Sequence, residues 1–199
     1  MSTTTVIDLL RHGEPVGGKR YRGWIDDPLS ERGWAQMWHA ASGATPWEHV
    51  VTSPLARCRA FAEALAERLG IDLTVEPRVA EIRFGVWEGL SGEDLRADDP
   101  DRLRRFYHDP LGERPEGAEP AADFVGRVSQ ALEEVATVHR GRHVLIVTHA
   151  GVIRAAIAHA LAAPPERLFR AHVDNAAFTR LQATAERPLS LIFHGRTPL

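Results

Sequence analysis

The sequence predicts an α/β fold: a three-layer α/β/α sandwich with a mostly parallel sheet and helices on both faces. Three observations point there. Short apolar runs alternate with amphipathic helical stretches along the chain. The two clearest runs, Val6 to Leu10 and Val144 to Val147, are apolar almost throughout, as strands covered on both faces are. Each then reaches a histidine followed within two residues by glycine, a turn that belongs at the carboxyl edge of such a sheet.

In order, Val6 to Leu10 reads as a buried strand, apolar apart from Asp8, that stops at Arg11-His12-Gly13. After a Gly-rich loop, Trp34, Met37, Trp38 and Ala41 fall at helical spacing, with Ser30 as the cap. This aromatic face reads as core or as a contact between two copies of the chain, so a homodimer stays open. His49 to Thr52 is a short strand. Ser53-Pro54 reads as a helix start, the serine capping and the proline in the first turn. Cys58, Phe61, Ala62, Leu65 and Leu69 continue that helix to Gly70. Leu73 to Val75 gives another strand. Residues 81–123 are charge-rich, broken by Gly and Pro, and read as a lid inserted into a single domain spanning 1–199. Phe124, Val128, Leu132 and Val135 mark a long amphipathic helix. A small apolar helix over 152–161 puts Ile153, Ala156, Ile157 and Ala160 on one face. Strands around Phe178 to Leu181 and Leu189 to Phe193 finish the chain.

Composition narrows the function. With 199 residues, 44% of them hydrophobic and 26% charged, the chain can bury a sizeable core, which excludes disorder, collagen and coiled coil. A net charge of −3 supplies no global field to collect nucleic acid or an anionic membrane, and neither is expected as a partner. A small anionic substrate remains, provided positive groups are concentrated locally. The single cysteine, Cys58, can form neither an internal disulfide nor a thiolate cage, which favours a reducing cytoplasm. The first five residues carry no basic region and no apolar run approaches membrane-spanning length, so neither signal peptide nor anchor is expected.

Positive groups gather around the two histidines. If both strands are central and parallel, His12 and His149 face one crevice. Arg11 adjoins the first, and Arg57, in the first turn of a helix after a third strand, can face the same crevice. Two guanidiniums, two imidazoles and free helix amides describe a pocket for a phosphoryl group, since planar arginine forks match phosphate oxygens. A zinc site is the rival. The chain lacks HExxH or a closely spaced His/Cys set, and Arg11 beside His12 would repel a cation, so no metal is expected. His39, His49, His108, His139, His143, His159, His172 and His194 have no such context and read as surface or packing residues.

Four blocks carry a family resemblance. Leu10-Arg11-His12-Gly13-Glu14, Ser53-Pro54-Leu55-Ala56-Arg57-Cys58, Glu81-Ile82-Arg83-Phe84-Gly85-Val86-Trp87-Glu88-Gly89 and Val147-Thr148-His149-Ala150-Gly151-Val152-Ile153-Arg154 resemble the histidine phosphatase superfamily, which includes cofactor-dependent phosphoglycerate mutases. They occur in the family's order across residues 10 to 154. The resemblance implies that His12 is the nucleophile, phosphorylated on a ring nitrogen, with Arg11, Arg57 and His149 completing the phosphate pocket. It also implies that Glu81 protonates the leaving oxygen and then activates water, without a cofactor. The residues themselves leave open which of His12 and His149 is the nucleophile.

Some positions depart from the family pattern. Pro15 and Gly18 stand where many relatives carry Thr and Asn, Phe61 replaces a common threonine, and Pro120 stands where a capping serine is frequent. The loop from Glu14 to Trp24, with the Asp26-Asp27-Pro28-Leu29-Ser30 that follows, resembles that of α-ribazole phosphatase-like members. There, Lys19, Arg20 and Arg22 would steer an anion while Tyr21 and Trp24 stack on a ring. The expected substrate is a small phosphomonoester, α-ribazole 5′-phosphate of cobalamin assembly among the candidates. A phosphoglycerate mutase, a broad-specificity phosphatase and a protein phosphohistidine phosphatase are the alternatives.

Overall fold

In the computed structural model, which describes residues 4–43 and 45–199, six strands form one sheet. Met1 to Thr3, part of the stretch read as lacking a signal-peptide start, and Ala44 lie outside the described residues. The strands are β1 (Thr5–Arg11), β2 (His49–Thr52), β3 (Leu73–Val75), β4 (His143–Thr148), β5 (Phe178–Ala183) and β6 (Ser190–Arg196), in the spatial order β3-β2-β4-β1-β5-β6. The β3-β2-β4-β1 portion is parallel throughout, whereas β5 runs antiparallel to both β1 and β6.

Strand alternation explains the three layers. Ile7 and Leu9 of β1, with Val144 and Ile146 of β4, face one apolar cluster. That cluster is closed by Phe124, Val128 and Leu132 of α5 (Ala121–Val138) and by Ile153 and Ala156 of α6 (Ala150–Ala160). Leu10, Leu145 and Val147 point the other way. They meet Met37 of α1 (Glu31–Ala40) and Cys58, Phe61 and Leu65 of α2 (Ala56–Leu69). Successive strand side chains alternate faces, so a strand apolar at nearly every position must be covered on both. Trp34 and Trp38, both partly buried, pack on Phe61, the latter at 4.8 Å between ring centroids, so this aromatic face lies against the core. Phe61, unusual for the family, is a packing residue.

Two helix starts differ in instructive ways. Ser30 caps α1 as expected, accepting from Gly33 N at 3.0 Å. The helix expected to begin at Ser53-Pro54 begins at Ala56 with Leu55 at its cap position and no side-chain cap from its own turn. Its first amide donates instead to Asp26 Oδ1 at 2.7 Å, a cap delivered from a distant loop. Gly70 closes α2 at φ 66°, where a residue with a Cβ would be strained. Pro120 precedes α5 and gives it no side-chain cap.

Within residues 81–123 lie a 3-10 turn at Gly85–Trp87 and two short helices, α3 (Gly92–Asp98) and α4 (Arg102–His108). Trp87, Leu95, Leu103 and Phe106 form a small apolar cluster of their own, joined by Tyr21, Phe84 and Phe169. No helix among the described residues is long and apolar enough to cross a membrane.

Candidate active site

The sheet register builds the site. Arg11 on β1 pairs with Thr148 on the parallel neighbour β4, so the next residue on each strand, His12 and His149, emerges at the same edge. Their ring centroids lie 5.2 Å apart at 65°. The edge is fixed by His12 N donating to Thr148 O at 2.9 Å and by Asn175 Nδ2 donating to the His12 carbonyl at 3.1 Å. On the far side of β4, Thr52 of β2 pairs with Val147, which brings Ser53 alongside. These are the carboxyl ends of adjacent parallel strands, where the chain order of the sheet reverses and open α/β folds bind ligands.

His12 is held in one tautomer. A carbonyl can only accept, so the 2.7 Å contact between His12 Nδ1 and Gly13 O puts the proton on Nδ1 and leaves a lone pair on Nε2. Burial first, then the charges of Arg11 and Arg57, hold His12 well below the usual imidazole range, so it is neutral at pH 7. His149 is likewise neutral, through burial and the charges of Arg57, His12 and Arg11. Its Nε2 lies 2.7 Å from Ser53 Oγ, and that oxygen accepts from Leu55 N at 3.3 Å. Ser53 Oγ can give its proton to Nε2, and in that arrangement His149 Nδ1 is an N–H donor. Cys58 Sγ lies 3.5 Å from His149 Nε2, and burial raises its pKa, so it stays a thiol.

Both arginines are anchored with a donor to spare. Arg57, with 1% of its surface exposed, donates from its two terminal nitrogens to Ile25 O at 2.9 Å and Gly23 O at 2.8 Å. Arg11 Nη1 donates to Val173 O at 2.7 Å. The Nε of each is buried with no hydrogen-bond partner among the described residues. Burial brings Arg11 down to about 10, still cationic at neutral pH. Buried N–H donors without partners are rare and costly, and they mark where an acceptor belongs.

Two of the helix-start amides are engaged within the chain. The first amide of α2 is taken by Asp26, and Gly151 N, in the first turn of α6, donates to Glu81 Oε2 at 3.2 Å. A Cβ at Gly151 would come within 2.2 Å of Glu81 Oε1, so a side chain there would displace the carboxyl from this position. The structure therefore brings all five expected residues, Arg11, His12, Arg57, Glu81 and His149, to one edge. Among the described residues no group of three His, Cys, Asp or Glu side chains is disposed to hold a metal ion.

The loop residues divide. Arg22, expected to steer an anion, is buried and holds the loop together, donating to Asp27 Oδ2 at 2.9 Å, Val16 O at 2.8 Å and Gly18 O at 2.6 Å. Tyr21, expected to stack on a ligand, packs edge-on against Phe84 and Trp87 and shares a 2.7 Å hydrogen bond with the Tyr107 hydroxyl. Lys19 and Arg20 are exposed, and only Trp24 presents an open aromatic surface beside the site. Sequence reasoning missed Ser53 and Asn175 as supports of the histidines. It also missed Arg127, which holds Glu81 O at 3.2 Å and pairs with Glu119. Ser53 was visible only as a cap, and nothing local distinguished Asn175 or Arg127.

Comparison with known proteins agrees with this geometry. Residues 7–193 match the family model described as the histidine phosphatase superfamily, branch 1. Phosphoserine phosphatase 1 of Hydrogenobacter thermophilus is 32% identical over 190 residues, covering 92% of this chain and 89% of that protein. A bifunctional protein of Mycobacterium tuberculosis is 34% identical over 183 residues, 89% of this chain. The chain spans about half the length of that relative, 50%. Among solved structures, a mycobacterial glucosyl-3-phosphoglycerate phosphatase superposes with a TM-score of 0.84 at 26% identity, over 98% of this chain and 100% of that one.

Proposed function

Because the chain belongs to the histidine phosphatase superfamily, branch 1, we propose that it hydrolyses a small phosphomonoester through a phosphohistidine on His12. The observation that carries this reading is the pairing of a neutral His12, its Nδ1 tied to Gly13 O, with two buried cations whose Nε donors have no partner among the described residues. A neutral imidazole is a competent nucleophile near pH 7.

In the first step His12 Nε2 bonds to phosphorus as the bond to the leaving oxygen breaks, and the Glu81 carboxyl gives that oxygen its proton. Arg11, Arg57 and the His149 Nδ1–H hold the equatorial oxygens, where negative charge is spread in a loose transition state. In the second step the Glu81 carboxylate takes a proton from water, which attacks phosphorus and releases His12 and inorganic phosphate. The Gly151 amide holds the Glu81 carboxyl in place for both steps. Splitting the transfer into two displacements lowers each barrier. The proposed chemistry asks nothing of a metal ion, and a reducing cytoplasm is the compartment that the single buried Cys58 favours.

The finer reading, α-ribazole 5′-phosphate as substrate, draws from its loop on Trp24 alone, since Tyr21 and Arg22 are internal. It is supported if α-ribazole 5′-phosphate exceeds p-nitrophenyl phosphate by orders of magnitude in kcat/KM, and rejected if the two are comparable. The chemistry is tested by trapping the phosphoenzyme in rapid-quench labelling. His12→Ala abolishes labelling, whereas His149→Ala leaves it slow but detectable. The reverse pattern overturns the assignment, and no labelling of the wild-type chain by any phosphomonoester overturns the function.

A further inference from the structure

Beside Glu81 the surface opens into a recess of about 470 Å³ whose walls include Trp24, Arg78, Arg83, Glu119 and Arg127. Its charges are unevenly satisfied. Arg127 pairs with Glu119 at 2.7 Å, and Arg78 pairs with Glu76 and Glu134 at 2.6 and 2.7 Å. Glu88, at the back of the same loop, is occupied by the Phe84 and Trp24 amides. The Arg83 guanidinium lies 3.8 Å over the Trp24 ring and, among the described residues, has no ion-pair partner.

The support beneath Arg83 is tied to the reaction centre from two sides. Trp24 Nε1 donates to the Glu81 carbonyl at 2.8 Å. The residues flanking Trp24, Gly23 and Ile25, carry the two carbonyls that hold Arg57. The indole is therefore locked between the phosphate-binding arginine and the acid that protonates the leaving oxygen. Arg83, two residues after Glu81, is thereby carried on the same loop as that acid, with its indole support fixed to the Glu81 backbone.

We propose that Arg83, carried on Trp24, is a specificity residue that takes a carboxylate borne on the substrate's leaving alcohol. The proposal rests on the phosphatase reading above and names its substrate class: a phosphorylated hydroxy or amino acid. Stacking uses one face of the guanidinium and leaves its in-plane N–H groups free, and that planar fork matches a carboxylate. The ring also restricts the arginine, which lowers the ordering cost of binding.

The test compares matched substrates on the purified chain: 3-phosphoglycerate and glycerol 3-phosphate, which replaces the carboxylate with a hydroxymethyl group. The wild-type chain is expected to favour 3-phosphoglycerate by about 10- to 100-fold in kcat/KM, the range for a hydrogen-bonded charge. Arg83→Gln brings that ratio near one, mainly through KM, and Arg83→Lys retains part of it. Added salt lowers the wild-type ratio and not that of Arg83→Gln. Hydrolysis of both substrates with no wild-type preference, or a preference that survives Arg83→Gln, overturns this inference while the phosphohistidine chemistry stands. Failure to hydrolyse or be labelled by any phosphomonoester overturns both.

Discussion

Two buried charged clusters share strand β1 only three residues apart, and they are built on opposite principles. Asp8, with no exposed surface, receives Trp47 Nε1 at 2.9 Å, His143 Nε2 at 2.8 Å and Arg180 Nε and Nη2 at 2.7 and 3.0 Å. Burial raises its pKa, but the donors from His143, Arg180 and Trp47 outweigh that and hold it below the usual carboxylate range. Around Arg11 and Arg57 the arithmetic is reversed: two cations and two neutral rings against one carboxylate, Glu81, that makes no ion pair with either among the described residues, and Nε donors without acceptors. A network that closes on itself is a fastening. One that closes only when an anion arrives is a site, and it holds the fold less firmly when empty.

Mutation should separate the two sharply. Asp8→Ala leaves Arg180 and His143 facing an apolar layer and is expected to cost about 3 kcal/mol of stability, the scale for breaking a buried pair. Arg57→Met removes a cation with no counter-ion but also the bonds to Gly23 and Ile25, so its stability change is expected to stay within about 1 kcal/mol. Phosphatase activity of Arg57→Met falls by about 100-fold or more, the scale for lost transition-state charge stabilisation. Urea melts and steady-state rates on both variants check this. Equal destabilisation by the two would erase the distinction.

Acid should find the two clusters at different pH. His12 and His149 have folded-state pKa values below the unfolded value of about 6.5, so the unfolded chain binds more protons as pH falls. The stability they contribute is present above pH ~6.5 and is lost below it, at up to about 1.4 kcal/mol per pH unit for each ring. Asp8 has the same sign but a lower window: its contribution is present above the unfolded value of about 3.9 and is lost as pH falls through its depressed folded value. Saturating inorganic phosphate should flatten only the first decline, because a bound anion favours the protonated rings. Thermal melts from pH 8 to 3, with and without phosphate, resolve the two steps.

What could be read in advance follows the same division. The strands, the three layers and Arg11, His12, Arg57 and His149 were legible because each leaves a local mark: apolar runs of strand length, Arg11-His12-Gly13 or Thr148-His149-Ala150-Gly151 at a strand end, and an arginine in the first turn of the helix after a strand; Glu81 came only with the family resemblance. Partners brought together only by the fold left none. Asp8 read as an exception in an apolar strand, although Trp47, His143 and Arg180 come from three other parts of the chain. Asp26 capping α2 across 30 residues defeated the local rule that assigned the cap to Ser53. Arg22 looked like a free surface cation because loop sequence does not show which carbonyls curl back onto it.

An uncharged anchor beside the pocket gives the smallest and most discriminating effect. Ser30 Oγ accepts from Gly33 N at 3.0 Å and donates to Glu14 O at 3.0 Å, tying the chain just after His12 to the start of α1. Ser30→Ala is expected to cost about 1 kcal/mol, the usual value of a helix cap. Because the bond involves no charge, that loss should be the same from pH 8 to 5 and with or without phosphate. If it instead grows when phosphate is added, the loop itself is part of the anion-binding cluster, and the boundary between fastening and site lies further out along the chain than Gly13.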